Sequence, residues 1–169
     1  MTPTTIKFGT DGWRGIIAAD FTFERVSQVA TLAAHVLAKH YGKQAQQRLI
    51  IVGYDRRFLA EKFAQATAEA VQQAGFDVAL AQTYSPTPAL SWAVKAQSAL
   101  GALVLTASHN PAEYLGLKVK GAFGGSVTRE LTAEIEDRLA KGETPCADSP
   151  GTFTLFNPWD SYTEALQSK

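Results

Sequence analysis

Cysteine is nearly absent from this chain: Cys146 stands alone. No internal disulfide can form, and no neighbouring His or Cys is placed to share a metal with it, so it reads as a plain free thiol. An excess of one charge is also missing. Sixteen basic and sixteen acidic residues cancel. No basic field exists to hold a nucleic-acid backbone, and no polybasic run exists to hold an anionic membrane. An anionic ligand would therefore need a local site. Long apolar runs are absent too. The longest, around residues 49–54 and 102–107, are too short to cross a bilayer. The first eight residues lack the charged-then-apolar pattern of a secretory signal. The expectation is a soluble, cytoplasmic protein with no nucleic-acid or membrane partner.

What is present is ordinary for a globular domain: 46% of residues are apolar and 19% charged. With 169 residues, one domain, or one domain and a tail, can form. A chain of this length buries roughly 70% of its unfolded surface without help from disulfides or metals.

Three stretches have helical periodicity. In residues 23–41, Phe23, Val26, Val29, Ala30, Ala33, Val36 and Leu37 recur at spacings of three and four. Thr22 can cap this helix, and Gly42 follows it. Residues 59–74 carry Phe63, Ala66, Ala70 and Val71 on one stripe and stop at Gly75. Residues 128–141 carry Leu131, Ile135 and Leu139, between Thr128 and Gly142. A shorter helix is expected over 88–97, since Pro is tolerated in a first turn. Short apolar runs at 49–52, 78–81 and 102–106, with a weaker one at 117–119, read as strands covered on both faces. The order is roughly βαβαβαβ with an extra strand late. It predicts a three-layer α/β/α sandwich around a mostly parallel, mixed sheet. Such sheets bind ligands beyond the carboxyl ends of their strands.

Composition shifts between residues 142 and 158, where Pro145, Pro150, Gly151 and Pro158 alternate with polar residues. This reads as a linker, or an edge hairpin at 152–156, before a helix at 159–166. The expected organisation is a domain over 1–145, then a linker and the start of a second domain over 146–169.

Four segments carry chemistry. The most informative is Thr106-Ala107-Ser108-His109-Asn110-Pro111, directly after a buried strand. Small residues leave space beside the backbone there. Pro111 keeps Asn110 out of the helical region, and Asn110 can bond its neighbouring backbone. A serine hydroxyl is thus held at a strand's end. Adjacent side chains on an extended chain point apart, so His109 is not expected to serve Ser108 as a protease-type base. No Gly-x-Ser-x-Gly elbow is present either, which disfavours a serine hydrolase.

The second segment, Phe8-Gly9-Thr10-Asp11-Gly12-Trp13-Arg14-Gly15, offers a backbone nest with a guanidinium beside it, suited to phosphate. In the third, Gly53-Tyr54-Asp55-Arg56-Arg57, Asp55 and Arg57 are expected to hold one another and brace neighbouring loops. The fourth, Glu113 to Lys118, returns Lys118 towards the serine loop as a base or phosphate anchor. The glycine-rich run at 121–126 does not fit the dinucleotide fingerprint and reads as a turn. His35 and His40 lie on the first helix and read as packed or exposed. No His, Cys or carboxylate group has metal-ligand spacing.

Residues 8–15 and 106–111 together resemble the two signatures of the α-D-phosphohexomutases, the phosphoglucomutase/phosphomannomutase family. Gly53 to Arg57 and Thr87-Pro88 fall in step, and the resemblance covers essentially the whole chain as the family's N-terminal domain I. It implies an enzyme that interconverts hexose 1-phosphates and 6-phosphates through a phosphoserine and a sugar bisphosphate. It implies Ser108 as phosphoryl carrier, with His109, Lys118 and Arg14 as its helpers. It also implies Mg²⁺, bound on Ser108 through its phosphate with other ligands from a second domain, and a sugar 1,6-bisphosphate activator. The partners implied are a phosphosugar and the enzyme's remaining domains, without which this fragment is expected to be inactive. Where the family has Asn-Gly before the lysine, this chain has Leu115-Gly116. Trp13 and Thr106 look more like phosphoglucomutase/phosphomannomutase members than phosphoglucosamine mutases. A non-catalytic module that binds phosphate or a partner is the alternative.

Overall fold

The computed structural model describes residues 5–168. Eleven elements follow in the order β1 (Trp13–Ile16), α1 (Phe23–Tyr41), β2 (Leu49–Tyr54), α2 (Ala60–Gln73), β3 (Asp77–Ala81), α3 (Thr87–Ala96), β4 (Gly101–Leu105), β5 (Tyr114–Gly121), α4 (Arg129–Ala140), β6 (Phe153–Phe156) and α5 (Pro158–Gln167). Local chemistry sets the ends of several. Thr22 caps α1 by accepting from the Arg25 amide at 3.3 Å. Gly75, at φ +83°, carries the chain out of α2. Pro88 sits in the first turn of α3, where its missing N–H costs nothing. No helix among the described residues is long and apolar enough to cross a membrane.

The six strands form one sheet in the order β1-β5-β4-β2-β3-β6. Strands β4, β2, β3 and β6 are parallel neighbours. Strand β5 is antiparallel to both β4 and β1. Alternation along each strand divides the core in two. Ile50, Val52, Val78, Leu80, Leu103 and Leu105 face α1, α2 and α4. Leu49, Ile51, Ala79, Ala81, Ala102 and Val104 meet Leu90, Ala93 and Val94 of α3. Fully burying each such Val, Leu or Ile contributes about 1.5–3 kcal/mol. The result is the expected α/β/α sandwich with a mixed sheet.

Two differences from the sequence expectation shape the site. Residues 13–16, expected as part of a loop, form β1 against β5, with Trp13 opposite Leu117 and Ile16 opposite Tyr114. Tertiary packing outweighs weak local propensity here: Trp13 is 3% exposed and stacks on Phe21 at 4.5 Å. At the other edge, residues 153–156 form β6 parallel to β3, so the run is an edge strand and not a hairpin. Its helix, α5, packs on α3.

The second helical layer covers only part of the sheet. Helix α3 lies over β2 and β4. Beyond it, β5 buries Leu115, Leu117 and Val119 on the α1 side and turns Lys118 and Lys120 to the other. Strand β1 does the same with Trp13 and Arg14. That cationic part of the face lies beyond α3 and borders the serine loop.

Candidate active site

Strand β4 delivers the chain to the serine loop at the carboxyl end of the parallel sheet. The Thr106 amide still donates to Gly116 O at 2.9 Å, so the sheet holds the chain up to that residue. Then the backbone turns. Ser108 has φ +55°, the left-handed region, which costs a non-glycine residue of order 1 kcal/mol or more. Its amide donates to Thr106 Oγ1 at 3.1 Å, and the Asn110 amide donates to Ala107 O at 3.0 Å.

This turn overturns the expectation that Ser108 and His109 point apart. The chain is not extended at Ser108, and its Oγ lies 3.5 Å from His109 Nδ1. That is the outer limit of a hydrogen bond, in an exposed setting. The histidine is near enough to exchange a proton with the hydroxyl after a small movement.

Two arginines hold the loop from opposite sides. Arg57, after β2, gives its guanidinium to four backbone carbonyls. Nη1 donates to Pro111 O at 2.8 Å and Tyr114 O at 3.0 Å, and Nη2 donates to Ser108 O at 2.8 Å and Asn110 O at 2.5 Å. Asp55 Oδ1 accepts from the Arg57 amide at 2.9 Å, and its Oδ2 lies 3.7 Å from Nε. Asp55 and Arg57 do brace the neighbouring loop. From β1, Arg14 Nη1 donates to Asn110 Oδ1 at 2.9 Å. The Asn110 side chain is therefore used on Arg14 and not on its own backbone.

Ser108 opens on a cavity of about 490 Å³ shared with Asp55, Arg56, Arg57, Phe58 and Asn110. Lys118 lines a different, larger basin of about 680 Å³, with Asp11, Trp92, Lys95, Lys120 and Ser126. Ser108, His109 and Arg14 thus meet at one loop, and Lys118 lines a separate basin. There, Lys118 Nζ donates to Asp11 Oδ2 at 2.5 Å. Lys120 Nζ donates to Asp11 Oδ1 at 3.2 Å and to Ser126 Oγ at 2.8 Å, and Ser126 Oγ donates to Asp11 Oδ1 at 2.7 Å. Burial alone would raise the Asp11 pKa. Hydrogen bonds from Lys118 and Ser126 and the charges of both lysines outweigh it and hold the carboxyl at about 2.

Sequence reasoning passed over Asp11, Lys120 and Ser126. The period of two along β5, which puts Lys118 and Lys120 on one face, was the available signal. Its reading of the other histidines holds: His35 packs edge-on against Phe76, and His40 Nε2 lies 2.9 Å from Glu134 Oε2. Among the described residues, no group of three or more His, Cys, Asp or Glu could hold a metal ion. Near Ser108 the only carboxylate lining the cavity is Asp55. These residues by themselves do not make a Mg²⁺ site.

Comparison with known proteins agrees with this arrangement. The family profile described as phosphoglucomutase/phosphomannomutase, alpha/beta/alpha domain I, matches residues 5–145. A phosphoglucosamine mutase of Trichormus variabilis is 36% identical over 143 residues, which are 85% of this chain and 28% of that protein. A phosphoglucomutase of Staphylococcus epidermidis is 35% identical over 144 residues, 82% of this chain and 25% of that protein. A crystal structure from Thermus thermophilus, provisionally described as a phosphomannomutase, superposes with a TM-score of 0.83 at 36% identity, covering 99% of this chain and 36% of that one. The chain thus spans about a third or less of the length of these relatives. Enzymes named for different sugars match about equally well, so the leaning drawn from Trp13 and Thr106 finds no support in identity. With the signature loops, the structural superposition and the family profile in agreement, the chain belongs to the phosphoglucomutase/phosphomannomutase family and represents its alpha/beta/alpha domain I.

Proposed function

We propose that this chain is the phosphoserine-bearing domain of a mutase that interconverts hexose 1-phosphate and 6-phosphate through a sugar bisphosphate. The observation that carries the reading is Ser108 itself, held on a left-handed turn by Arg57 and Arg14 at the lining of a cavity, with His109 beside its hydroxyl. Phosphoryl transfer needs positioning and charge neutralisation more than covalent machinery. Ser108 Oγ attacks the phosphorus of a sugar bisphosphate, the bond from phosphorus to the sugar oxygen breaks, the serine proton passes to His109, and the departing sugar oxygen takes a proton from water and leaves as the hydroxyl of a sugar monophosphate. The phosphoserine then gives its phosphoryl group to a sugar monophosphate by the reverse of these steps. Arg14 and Lys118 supply positive charge along the rim.

Mg²⁺ belongs to this proposal as a group bound to the Ser108 phosphate, with further ligands from outside the described residues. A sugar 1,6-bisphosphate activator, a cytoplasmic setting and partnership with further domains belong to it as well, as does the inability of this chain alone to complete the mutase cycle.

Incubation with a hexose 1,6-bisphosphate followed by intact-mass analysis tests the reading. One phosphoryl group should appear on the wild type and none on Ser108→Ala. Equal labelling of both would sink it.

A further inference from the structure

Two lysines, Lys118 and Lys120, stand side by side on the face of β5 turned away from α1. They look interchangeable in sequence. Their surroundings are not alike. Both side chains are largely buried, Lys118 12% and Lys120 8% exposed, but Lys120 spends donors on two partners, Asp11 Oδ1 and Ser126 Oγ. With Ser126 also donating to Asp11, these three groups close a ring. Lys118 lies outside the ring. Its one hydrogen-bond partner among the described residues is Asp11 Oδ2, and an ammonium group has three donors. Two N–H groups of Lys118 remain for an incoming phosphoryl oxygen.

Asp11 therefore divides its carboxylate. One oxygen is fixed by the ring and the other aims Lys118. A lysine on a free strand surface keeps several rotamers and loses entropy when a ligand fixes it. Here that ordering is done in advance, which is how preorganised charge favours transfer. The carboxylate also separates two like charges that would otherwise face each other across alternate strand positions.

We propose that Asp11, propped by Lys120 and Ser126, is a positioning residue for Lys118, holding its ammonium group ready for a phosphoryl group while Lys120 stays structural. This rests on the mutase reading above. It also gives the aspartate of the N-terminal signature loop a role. That loop reaches across 107 residues of sequence to place a lysine.

The test uses ¹⁵N-lysine-labelled chain and NMR of the ammonium groups. In the wild type, the Lys118 signal should be shielded from solvent exchange and restricted in motion. In Asp11→Asn, which turns one acceptor into a donor, Lys118 proton exchange should rise about tenfold or more, the protection expected of one charge-assisted bond. Ser126→Ala should give a smaller rise, because it removes the prop and leaves the carboxylate. Lys118 exchange and order unchanged in Asp11→Asn would overturn the proposal, and Ser126→Ala without effect would overturn the ring's part in it. Amide spectra of both variants separate these outcomes from unfolding. Phosphoryl uptake from a hexose 1,6-bisphosphate then reads the chemical consequence. A rate about tenfold lower in Asp11→Asn with phosphate affinity no weaker supports positioning, and equal rates overturn it. No uptake by the wild type would count against the Ser108 reading alone, since the exchange measurement stands without it.

Discussion

Replacing Arg57 by lysine keeps the charge and removes the fork. The guanidinium spans four carbonyls, on Ser108, Asn110, Pro111 and Tyr114, that no single ammonium group can reach together. The bonds to Asn110 and Tyr114 are half-buried, and those to Ser108 and Pro111 are exposed. A hydrogen bond to a charged group contributes about 1.5–3 kcal/mol when its partner would otherwise be left unsatisfied. An exposed carbonyl finds water instead and loses little. If lysine retains one half-buried bond, the net loss is about 2–4 kcal/mol. Against a typical total of about 5–15 kcal/mol, the protein stays folded. Urea unfolding of wild type and Arg57→Lys should differ by roughly 1–2 M in midpoint, with similar slopes. Where the loop opens locally first, the amides of Ser108 and Asn110 should exchange at least about tenfold faster. These are the amides that close the turn onto Thr106 Oγ1 and Ala107 O. A variant with both the midpoint and these exchange rates at wild-type values would refute the reasoning. The left-handed Ser108 would then be held by the turn itself and by Arg14.

Gly12 has φ +108°, and a Cβ there would stand 2.6 Å from Leu117 O, so Gly12→Ala should push β1 off β5 at a cost of about 2 kcal/mol or more. A thermal midpoint lower by less than about 2 °C would contradict that. Glu136 is buried, which by itself raises its pKa. Hydrogen bonds from Arg129, the Phe8 amide and Lys7, with the Arg129 charge, overcome this and hold the carboxyl at about 2, against an ordinary value of 4.5. Because the folded value is the depressed one, its stabilisation is complete above about pH 4.5 and is lost as pH falls towards about 2. The amount is on the order of 3 kcal/mol. The urea midpoint should therefore fall through that window, and Glu136→Gln should flatten the fall while lowering stability at neutral pH. An identical pH profile in the variant would show that other carboxylates carry it.

The helices and the central strands were readable because their signals are local. The stripe from Phe23 to Leu37 predicts α1 within the limits observed, and the buried runs at 49–52, 78–81 and 102–106 each lie at a strand of the sheet. Ser108 was legible for the same reason, since a small-residue loop between a buried strand and Pro111 is a continuous stretch of chain. Strand β1 was not legible. Four residues that include a glycine and an arginine have no alternation to detect, and Trp13 becomes a strand residue only because Phe21 and β5 are there to receive it. The edge strand β6 depends in the same way on the exposed side of β3.

From the sequence alone came the layers, the position of the serine loop and the family to which the chain belongs. It left the geometry around Ser108 open. Arg57 reaches Ser108 across 51 residues and Asp11 reaches Lys118 across 107, and no periodicity records contacts at such separations. The left-handed turn that brings the His109 ring towards Ser108 Oγ is likewise a product of packing, because Arg57 and Arg14 hold a backbone conformation that serine does not choose alone. Local patterns decide which segments form. Long-range hydrogen bonds, made only after the sheet has assembled, decide where the charges around Ser108 stand.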